Sequence, residues 1–515
     1  MRPSDLGLPR KFKDWRPGQL EAVEAFVNSP SFAYLLDSPP GSGKSLIGAA
    51  VQKMTGLPVV YLTSTKQLQN QVLADFPKET ALIMGRSNYP CELHRDDFPL
   101  VSAADCPPDG CKKSGNCAYQ IAKQVAVRSP MAVLNYSYFF AESDLAGSFS
   151  GRILICDEAD TLDSQLLNFI QVAVTAEQIE DFGLPWPKHK NDFNCWLEWG
   201  QETSPLVERM HQDLVREFEL EGAAAELNVP LIRQLKKVEK LKKQMDSFVH
   251  DVTQNWVFYP GTTKWEFKPV WVRKYAQRAL WRHARRALCM SGTILSGEYF
   301  ARDIGLDYAQ TTYSRLPCLF PVENRPIIYR PVANVVYGSK ETELPKLARG
   351  LQQVLDAHPD QKILVHSTSY PLRAFLMANL ESDRLITHES GNREAQLERF
   401  KLSRRPLVMV SPSMDRGVSL DDDLCRVVVI CKVPYASLAD PQVKRRMESS
   451  NGDGQRWYSM NTISTIIQMS MRACRSSDDW CKTYILDRQF ESIYKRNIEV
   501  FPQWFKDAVR RDHVD

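Results

Sequence analysis

Short apolar runs separated by helical stretches recur along the chain and form two sets, one before about residue 160 and one after about residue 325. Because these runs do not alternate with polar residues, they predict parallel strands covered on both faces. The pattern therefore predicts an α/β fold with two domains, each built on a parallel sheet. The runs are Phe32–Leu36, Val59–Leu62, Met131–Leu134, Ile153–Cys156, Ile363–Val365, Leu407–Val410 and Val427–Ile430.

Between the two sets the apolar residues are spaced by three and four positions, which is the spacing of one helix face. This stripe consists of Leu231, Leu235, Val238, Leu241, Met245 and Phe248. The lysines between Lys236 and Lys243 fall on the other faces, and such a run is typical of a solvated surface. The pattern predicts one long helix after Pro230.

Two further elements are predicted around this helix. An antiparallel partner helix is indicated by Leu206, Met210, Leu214 and Phe218. A β-hairpin is indicated by Trp256–Tyr259 and Trp265–Phe267, with Pro260 and Gly261 at the turn. The middle of the chain is thus expected to be a mainly helical insertion.

Composition narrows the class of protein. A chain of 515 residues is expected to form two to four domains. Its 43% hydrophobic and 25% charged residues are typical of a globular protein, and the net charge of +3 leaves any nucleic-acid surface to local arrangement. We find no apolar run of about 18 residues and no signal-like N-terminus, so we expect no membrane span and a cytoplasmic, reducing location.

The segment from Ser38 to Ser45 resembles a nucleotide phosphate loop. It follows an apolar run and precedes a helix-like stretch, which is the context that such a loop requires. Lys44 would reach the β- and γ-phosphates, and the Ser45 hydroxyl would ligate Mg²⁺. Ser38 stands where the usual pattern has its first glycine. The predicted phosphate-binding residues are Gly41, Ser42, Gly43, Lys44 and Ser45.

An acidic group follows the run Ile153–Cys156. Asp157 would hold Mg²⁺ through water, and Glu158 would orient or deprotonate the attacking water. An acidic tetrapeptide alone is usually a solvated turn, but its position downstream of a phosphate loop makes the pair specific. We therefore predict that both carboxylates face the phosphate loop.

Two arginines lie near the end of the chain, in the segment from Gln468 to Arg475. Arg472 and Arg475 are three residues apart and would share one helix face. Such a pair stabilises charge on a γ-phosphate when it acts as arginine fingers, although without the other motifs a surface pair is the ordinary interpretation. A nucleotide held between two lobes would couple hydrolysis to lobe closure.

Four of the 12 cysteines cluster in a loop-rich segment with spacing C-x14-C-x4-C-x5-C. They are Cys91, Cys106, Cys111 and Cys117. A segment with so few apolar residues needs a clip to be ordered, and four thiolates hold either zinc or an iron–sulfur cluster. Spacing alone leaves the metal open, and buried or disulfide-linked cysteines are the third possibility.

Taken in order, these motifs resemble the XPD/DinG type of superfamily 2 DNA helicases over nearly the whole chain. The cysteine spacing resembles the DinG branch more closely. Besides the motifs above, the matching segments are Trp15–Gln19, Leu62–Thr65, Gly85–Cys91, Cys117–Tyr119, Asn135–Tyr138, Met290–Leu295, Ser369–Tyr370, Asp415–Val418, Lys432–Tyr435 and Asp440–Pro441. Asp160 stands where the family commonly has histidine, which predicts an altered link between its second and third motifs.

The resemblance implies two RecA-like motor domains, an iron–sulfur domain with a [4Fe–4S] cluster on the four cysteines, and a helical arch. It implies ATP and Mg²⁺ as cofactors, with catalytic roles for Lys44, Asp157, Glu158, Gln468, Arg472 and Arg475. Arg16 and Gln19 would contact the adenine side, and Asp415 and Gly417 would also face the nucleotide. The expected boundaries are 1–84, 121–162 and 263–318 for motor domain 1, 85–120 for the iron–sulfur domain, 163–262 for the arch and 319–515 for motor domain 2.

The resemblance also implies 5′-to-3′ translocation on single-stranded DNA by a monomer that opens forked or 5′-tailed duplexes. Expected nucleic-acid contacts are Thr63, Ser64, Tyr89, Tyr136, Ser369 and Tyr370. The two tyrosines Tyr89 and Tyr136 would stack on bases, with core packing as an equal alternative. Two other functions stay open at this point: a helicase for RNA or RNA–DNA hybrids, and a non-motor accessory protein whose cluster senses redox state. DNA repair is one context that fits such a motor.

Overall fold

The computed structural model describes residues 1–39, 41–91, 101–106, 116–222, 225, 228–336, 338, 340–414, 420, 422–449, 451–474 and 478–512. Four predicted site residues, Cys111, Asp415, Gly417 and Arg475, lie outside these ranges. Within the described ranges, each helix is either too short or too polar to cross a membrane.

Lobe 1 is built on a seven-stranded sheet in which every neighbouring pair is parallel, in the order β10-β1-β9-β5-β2-β4-β3. Strands β1, β2 and β5 are buried along their whole length, which confirms the predicted cover on both faces. The strands are β1 (Ala33–Asp37), β2 (Val59–Thr63), β3 (Thr80–Leu82), β4 (Met131–Asn135), β5 (Arg152–Asp157), β9 (Ala284–Ser291) and β10 (Thr311–Arg315).

Helices on both faces complete lobe 1 and divide its core into two apolar clusters. Because β9 and β10 come after the middle insertion and pair with β5 and β1, the chain returns to lobe 1 before it enters the second lobe. The helices are α1 (Gln19–Asn28), α2 (Lys44–Thr55), α3 (Lys66–Asp75), α4 (Ala118–Arg128), α5 (Tyr136–Leu145), α6 (Leu162–Ile170), α10 (Arg273–Ala279) and α11 (Gly297–Asp303).

Lobe 2 repeats this architecture with a second parallel sheet, in the order β13-β14-β12-β15-β16-β11-β17. Its strands are β11 (Ile327–Ala333), β12 (Ile363–His366), β13 (Leu385–Thr387), β14 (Val408–Ser411), β15 (Val427–Ile430), β16 (Lys482–Asp487) and β17 (Val509–Arg511). Its helices are α12 (Lys340–Asp356), α13 (Tyr370–Asn379), α14 (Arg393–Leu402), α15 (Pro441–Met447), α16 (Asp453–Ser470), α17 (Gln489–Arg496) and α18 (Gln503–Ala508).

The arch consists of α7 (Ala176–Asp181), α8 (Phe193–Glu221), α9 (Val229–Asp251) and a three-stranded antiparallel sheet. All six residues of the predicted stripe are buried in α9. Phe248, near the end of α9, packs on Trp199 and Gly200, near the start of α8, so the two long helices are antiparallel. The predicted antiparallel partner helix is α8; Leu206, one of the four residues that indicated it, is exposed, and the adjacent Val207 is buried.

The sheet of the arch has the order β6-β8-β7, with β6 (Val172–Thr175), β7 (Trp256–Tyr259) and β8 (Lys264–Pro269). The antiparallel β7–β8 pair confirms the predicted hairpin. The predicted boundary after residue 262 lies in the turn of this hairpin, between β7 and β8. Apolar contacts between Phe248, Phe258 and Phe267 join the sheet to the long helices.

Candidate active site

The phosphate loop leads from β1 into the N-terminus of α2, as the sequence predicts. Gly41 and Gly43 have φ angles of 75° and 74°, which favour glycine. A side chain at Gly43 would also come within 2.4 Å of the Gln19 amide nitrogen. Lys44 is the first residue of α2, where free N–H groups and the helix dipole favour anions. The loop thus has the local geometry of a phosphate cradle.

Ser38 connects this loop to the neighbouring strand. Its backbone N–H donates to the Ser291 carbonyl at 2.7 Å, and its side chain is fully buried. The hydroxyl therefore occupies the interior where the usual motif has glycine, and it does not narrow the opening of the loop.

Arg16 and Gln19 contact the backbone of the phosphate loop. The Gln19 amide donates to the Ser42 carbonyl at 2.6 Å, and the Arg16 backbone N–H donates to Gln19 Oε1 at 2.8 Å. The Arg16 guanidinium donates to the Gly41 carbonyl. Both residues contact the loop backbone here, and contact with an adenine ring stays a prediction.

Asp157 ends β5 and is held from several sides. The Tyr61 hydroxyl donates to Asp157 Oδ2 at 3.0 Å, and the Glu158 N–H donates to Oδ1 at 2.9 Å. The Tyr136 hydroxyl donates to the Asp157 carbonyl at 2.8 Å. Each carboxylate oxygen accepts one bond and keeps a further lone pair, so the group is oriented yet able to bind water on Mg²⁺.

Glu158 adopts a strained backbone conformation next to this aspartate. Its φ of 49° lies in the left-handed region, which is uncommon outside glycine and concentrates at functional sites. Ser64 donates to the Glu158 carboxylate. Burial, and after it the charge of Asp157, raises the pKa of Glu158, whereas Lys44 lowers it. The charge of Lys44 therefore acts on the Glu158 carboxylate.

A chain of side-chain hydrogen bonds leads from this acidic group to lobe 2. The Ser291 hydroxyl donates to Asp160 Oδ1 at 2.5 Å and lies 3.4 Å from the Thr293 hydroxyl. The Gln468 amide of α16 donates to Thr293 Oγ1 at 3.1 Å. Asp160 accepts from Ser291 in the position where the family commonly has histidine, and Gln468 brings the second lobe to the same site.

Arg472 is the one member of the predicted arginine pair that lies in the described ranges. It is 5% exposed, and its carbonyl accepts from the Leu420 N–H at 3.3 Å. Burial, with the nearby charge of Arg472, lowers the pKa of His366 to about 3, so that imidazole is neutral beside the guanidinium. Arg472 thus sits inside lobe 2, and its contact with a phosphate stays a prediction.

Two of the predicted nucleic-acid contacts are buried in this structure. The Thr63 side chain is fully buried and donates to the Thr65 carbonyl at 3.1 Å. Tyr136 is 1% exposed, and its hydroxyl donates to the Asp157 carbonyl. Tyr136 thus holds the backbone of Asp157 in place, and contact of either side chain with nucleic acid stays a prediction.

The remaining predicted contacts are accessible to different extents. Ser64 is half-buried against Glu158, and Tyr89 packs edge-on against Tyr119 at 5.6 Å between ring centroids. Ser369 caps α13 by accepting from the Leu372 N–H, and Tyr370 beside it is 42% exposed. Tyr370 is therefore the most exposed tyrosine of the set, with the Arg373 guanidinium 5.1 Å from its ring centroid.

The cysteine-rich segment contacts the arch. Cys91, Cys106 and Cys117 are half-buried and form no disulfide. Asp105 pairs with Arg233 of α9 at 2.7 Å, and Lys236 donates to the Ala104 carbonyl, so these two α9 cations are not simply solvated. Across the described ranges, no three His, Cys, Asp or Glu side chains form a group that could hold a metal ion. The thiols have the donor chemistry of an iron–sulfur site, and the fourth lies outside the described ranges.

Comparisons with known proteins agree with this architecture. Residues 351–508 match the family described as the helicase C-terminal domain. The ATP-dependent DNA helicase YoaA of Haemophilus influenzae is 20% identical over 87% of this chain and 86% of its own length.

Solved structures share the fold. An XPD helicase superposes with a TM-score of 0.62 at 16% identity, over 96% of this chain and 98% of the other. S. tokodaii Xpd4 superposes with a TM-score of 0.59 at 14% identity, over 96% of this chain and all of the other. Both parallel sheets are RecA-like in this comparison. With the motif order read from the sequence, these matches show that the chain is similar to helicases of the XPD/DinG type of superfamily 2.

Proposed function

We propose that the chain is a DNA helicase that moves 5′ to 3′ on single-stranded DNA and separates duplexes ahead of it. The observation that carries the motor is the hydrogen-bond chain from Asp160 through Ser291 and Thr293 to Gln468, because it joins the acidic group of one lobe to the last turns of α16 in the other. One site thus contains a phosphate loop from lobe 1 and a glutamine from lobe 2. ATP bound there would draw the two lobes together, and hydrolysis would release them.

DNA as the substrate is supported by the motif series and by the name of the Haemophilus relative. The polarity and the monomeric state rest on the motif series alone. Contacts across two lobes would be made chiefly to backbone phosphates and would be tolerant of sequence.

Mg²⁺ would be held by Ser45 and Asp157, and the catalytic roles predicted for Arg472 and Arg475 belong to this proposal. An RNA or RNA–DNA hybrid substrate is the second candidate, because the same phosphate contacts fit either backbone.

One assay set tests the substrate and direction. ATP hydrolysis by the full chain is measured alone, with single-stranded DNA and with single-stranded RNA of the same sequence. Strand separation is then compared on duplexes with only a 5′ tail or only a 3′ tail. We expect stimulation by DNA and opening of the 5′-tailed duplex. Equal or greater stimulation by RNA would replace the DNA assignment, and opening of only the 3′-tailed duplex would reverse the polarity.

We further propose that Cys91, Cys106, Cys111 and Cys117 bind a [4Fe–4S] cluster. Support comes from four cysteines in a short segment and from their DinG-like spacing. The bound group would supply a structural crosslink between loop segments that have little apolar core of their own.

Replacement of one cysteine tests this site. Protein purified without oxygen is expected to contain about four irons per chain and to absorb visible light. Cys106→Ser is expected to lose both signals, whereas Cys195→Ser, a half-buried cysteine of α8, is the matched control and should keep them. Zinc in place of iron in the wild-type chain would contradict the cluster.

A further inference from the structure

Lobe 2 contacts lobe 1 at a second place, through Arg446 of α15. This arginine is 1% exposed, although it belongs to a basic run at the end of a short helix. Its two terminal nitrogens donate to the Asp163 carboxylate at 2.9 and 3.2 Å, and its Nε donates to the Val270 carbonyl at 2.7 Å. All three nitrogens of a buried guanidinium are thus engaged by residues outside lobe 2.

Two tryptophans complete the surroundings of Arg446. The guanidinium carbon lies 4.8 Å from the ring centroid of Trp271 and 4.4 Å from that of Trp457, and the two rings meet edge to face. A cation held between aromatic rings and a bidentate carboxylate has a fixed position and is poorly replaced by a different side chain.

The partners of Arg446 belong to functionally different parts of the chain. Asp163 lies in the first turn of α6, five residues after Glu158. Val270 and Trp271 directly follow β8, where the chain leaves the arch. A displacement of α15 would therefore act both on the segment that carries the acidic group and on the root of the arch.

The hairpin of the arch also contacts the start of α15. The Tyr259 hydroxyl donates to Asp440 Oδ1 at 2.8 Å, and the Gln442 amide donates to the Pro269 carbonyl at 2.7 Å. Asp440 at the same time caps α15 by accepting from the Gln442 and Val443 N–H groups. The α15 helix is thus fixed to β7 and β8 as well as to α6.

Helix α16 spans the distance between this contact and the nucleotide site. Asp453 in its first turn pairs with Arg273 and Arg302 of lobe 1 at 3.3 and 3.2 Å, and Gln468 in its last turn donates to Thr293. The two positions are about 22 Å apart along a helix that rises about 1.5 Å per residue. Between them lies a cavity of about 630 Å³, lined by both lobes. A change at Gln468 can therefore turn α16 about its anchored N-terminal end.

We propose that Arg446 is a positioning residue that transmits nucleotide-driven movement of lobe 2 to the root of the arch and to the helix after the acidic group. This inference rests on the proposed motor function for its unwinding readout. The arch would move with the lobes during each cycle of ATP binding because α15 is attached to it through Arg446 and Tyr259.

The test compares Arg446→Gln with Arg445→Gln in the full chain. Arg445 is the adjacent residue and is more than half exposed. Among the described contacts its ion pair is with Glu448, the exposed residue that follows the same helix, so it controls for loss of one positive charge. We expect Arg446→Gln to keep DNA-stimulated ATP hydrolysis but to separate about tenfold less duplex per ATP, which is the size of a typical coupling between sites. Arg445→Gln should match the wild type.

A second readout does not depend on unwinding. Hydrogen exchange of residues 256–273 is measured with and without a non-hydrolysable ATP analogue. We expect the analogue to change exchange there in the wild type and in Arg445→Gln, but not in Arg446→Gln. Suppose that the ATP analogue changes exchange in the wild type and not in Arg446→Gln, but DNA does not stimulate ATP hydrolysis. The proposed helicase function then fails, whereas the proposed role of Arg446 stands. If Arg446→Gln responds as the wild type does, the transmission is wrong.

A milder variant covers the case in which Arg446→Gln does not fold. Tyr259→Phe removes only the hydroxyl that reaches Asp440 and leaves the ring and the hairpin in place. We expect it to reduce duplex separated per ATP and the exchange response in residues 256–273, with an unchanged melting temperature. The inference would be overturned if Tyr259→Phe separated as much duplex per ATP as the wild type. It would also be overturned if the amount separated fell only in proportion to a lower melting temperature.

Discussion

Replacement of Lys44 by alanine is expected to lower kcat/KM for DNA-stimulated ATP hydrolysis by about 100- to 1,000-fold, the usual effect of removing one preorganised charge from a transition state. Lys44 is the first residue of α2, directly after Gly43, and its positive charge lowers the pKa of Glu158. In this position an ammonium neutralises the β- and γ-phosphates as negative charge moves during transfer. Hydrolysis and strand separation should fall together.

A lysine at the other end of the same helix provides the control. Lys53 pairs with Glu79 at 3.5 Å, nine residues after Lys44 and away from the phosphate loop. Because an ion pair near the surface contributes little, Lys53→Ala should stay within about twofold of the wild type. Near-normal hydrolysis by Lys44→Ala would show that the loop from Ser38 to Ser45 is not where ATP is cleaved.

The two parallel sheets were predictable because seven of their inner strands are short, continuous apolar runs. Such a run has no polar face, so it fits the middle of a sheet that is covered by helices on both faces. The inner strands β9, β11 and β16 were not predicted. Edge strands lack this signal. Strand β10, with the sequence Thr-Thr-Tyr-Ser-Arg, is half exposed and was not predicted, and β3 has only three residues. Their pairing depends on neighbours that are distant in the chain.

The position of the acidic group could also be predicted, whereas its supporting contacts could not. Parallel strands end at one edge of a sheet, which brings Asp157 at the end of β5 close to the loop after β1. Tyr61, however, appears in the sequence as one more apolar strand residue. Its hydroxyl meets Asp157 only because β2 pairs with β5 in the register that sets Tyr61 opposite Ile155.

Arg446 illustrates the same limit for charged residues. A run of Lys444, Arg445 and Arg446 on a short helix favours a solvated surface, and two of the three residues follow that rule. The third is buried because its carboxylate partner, Asp163, lies 283 residues earlier in the chain. Burial in a contact between lobes leaves no local signal in the sequence. In the same way, the burial of Thr63 and Tyr136 leaves no local signal in the sequence, and their contact with nucleic acid stays a prediction.

Replacement of Glu158 by glutamine is the second change expected to have a large effect, because it keeps the size of the side chain and removes its basicity. General-base catalysis typically contributes about 10²- to 10⁴-fold, and we expect kcat for ATP hydrolysis to fall by that range while ATP still binds. Asp160→Asn is the matched control. It retains an acceptor oxygen for the Ser291 hydroxyl, so the loss should be about fivefold or less.

The pH dependence of hydrolysis separates a base from a residue that only shapes the site. Burial and the charge of Asp157 raise the pKa of Glu158 above the ordinary glutamate value of 4.5. Because a base acts in its deprotonated form, kcat/KM should rise with pH through that raised pKa, and the acid limb of the wild type should lie above pH 4.5. In Glu158→Gln this limb should disappear from the residual activity. An unchanged acid limb in the variant would assign the titration to another group and leave Glu158 an orienting role.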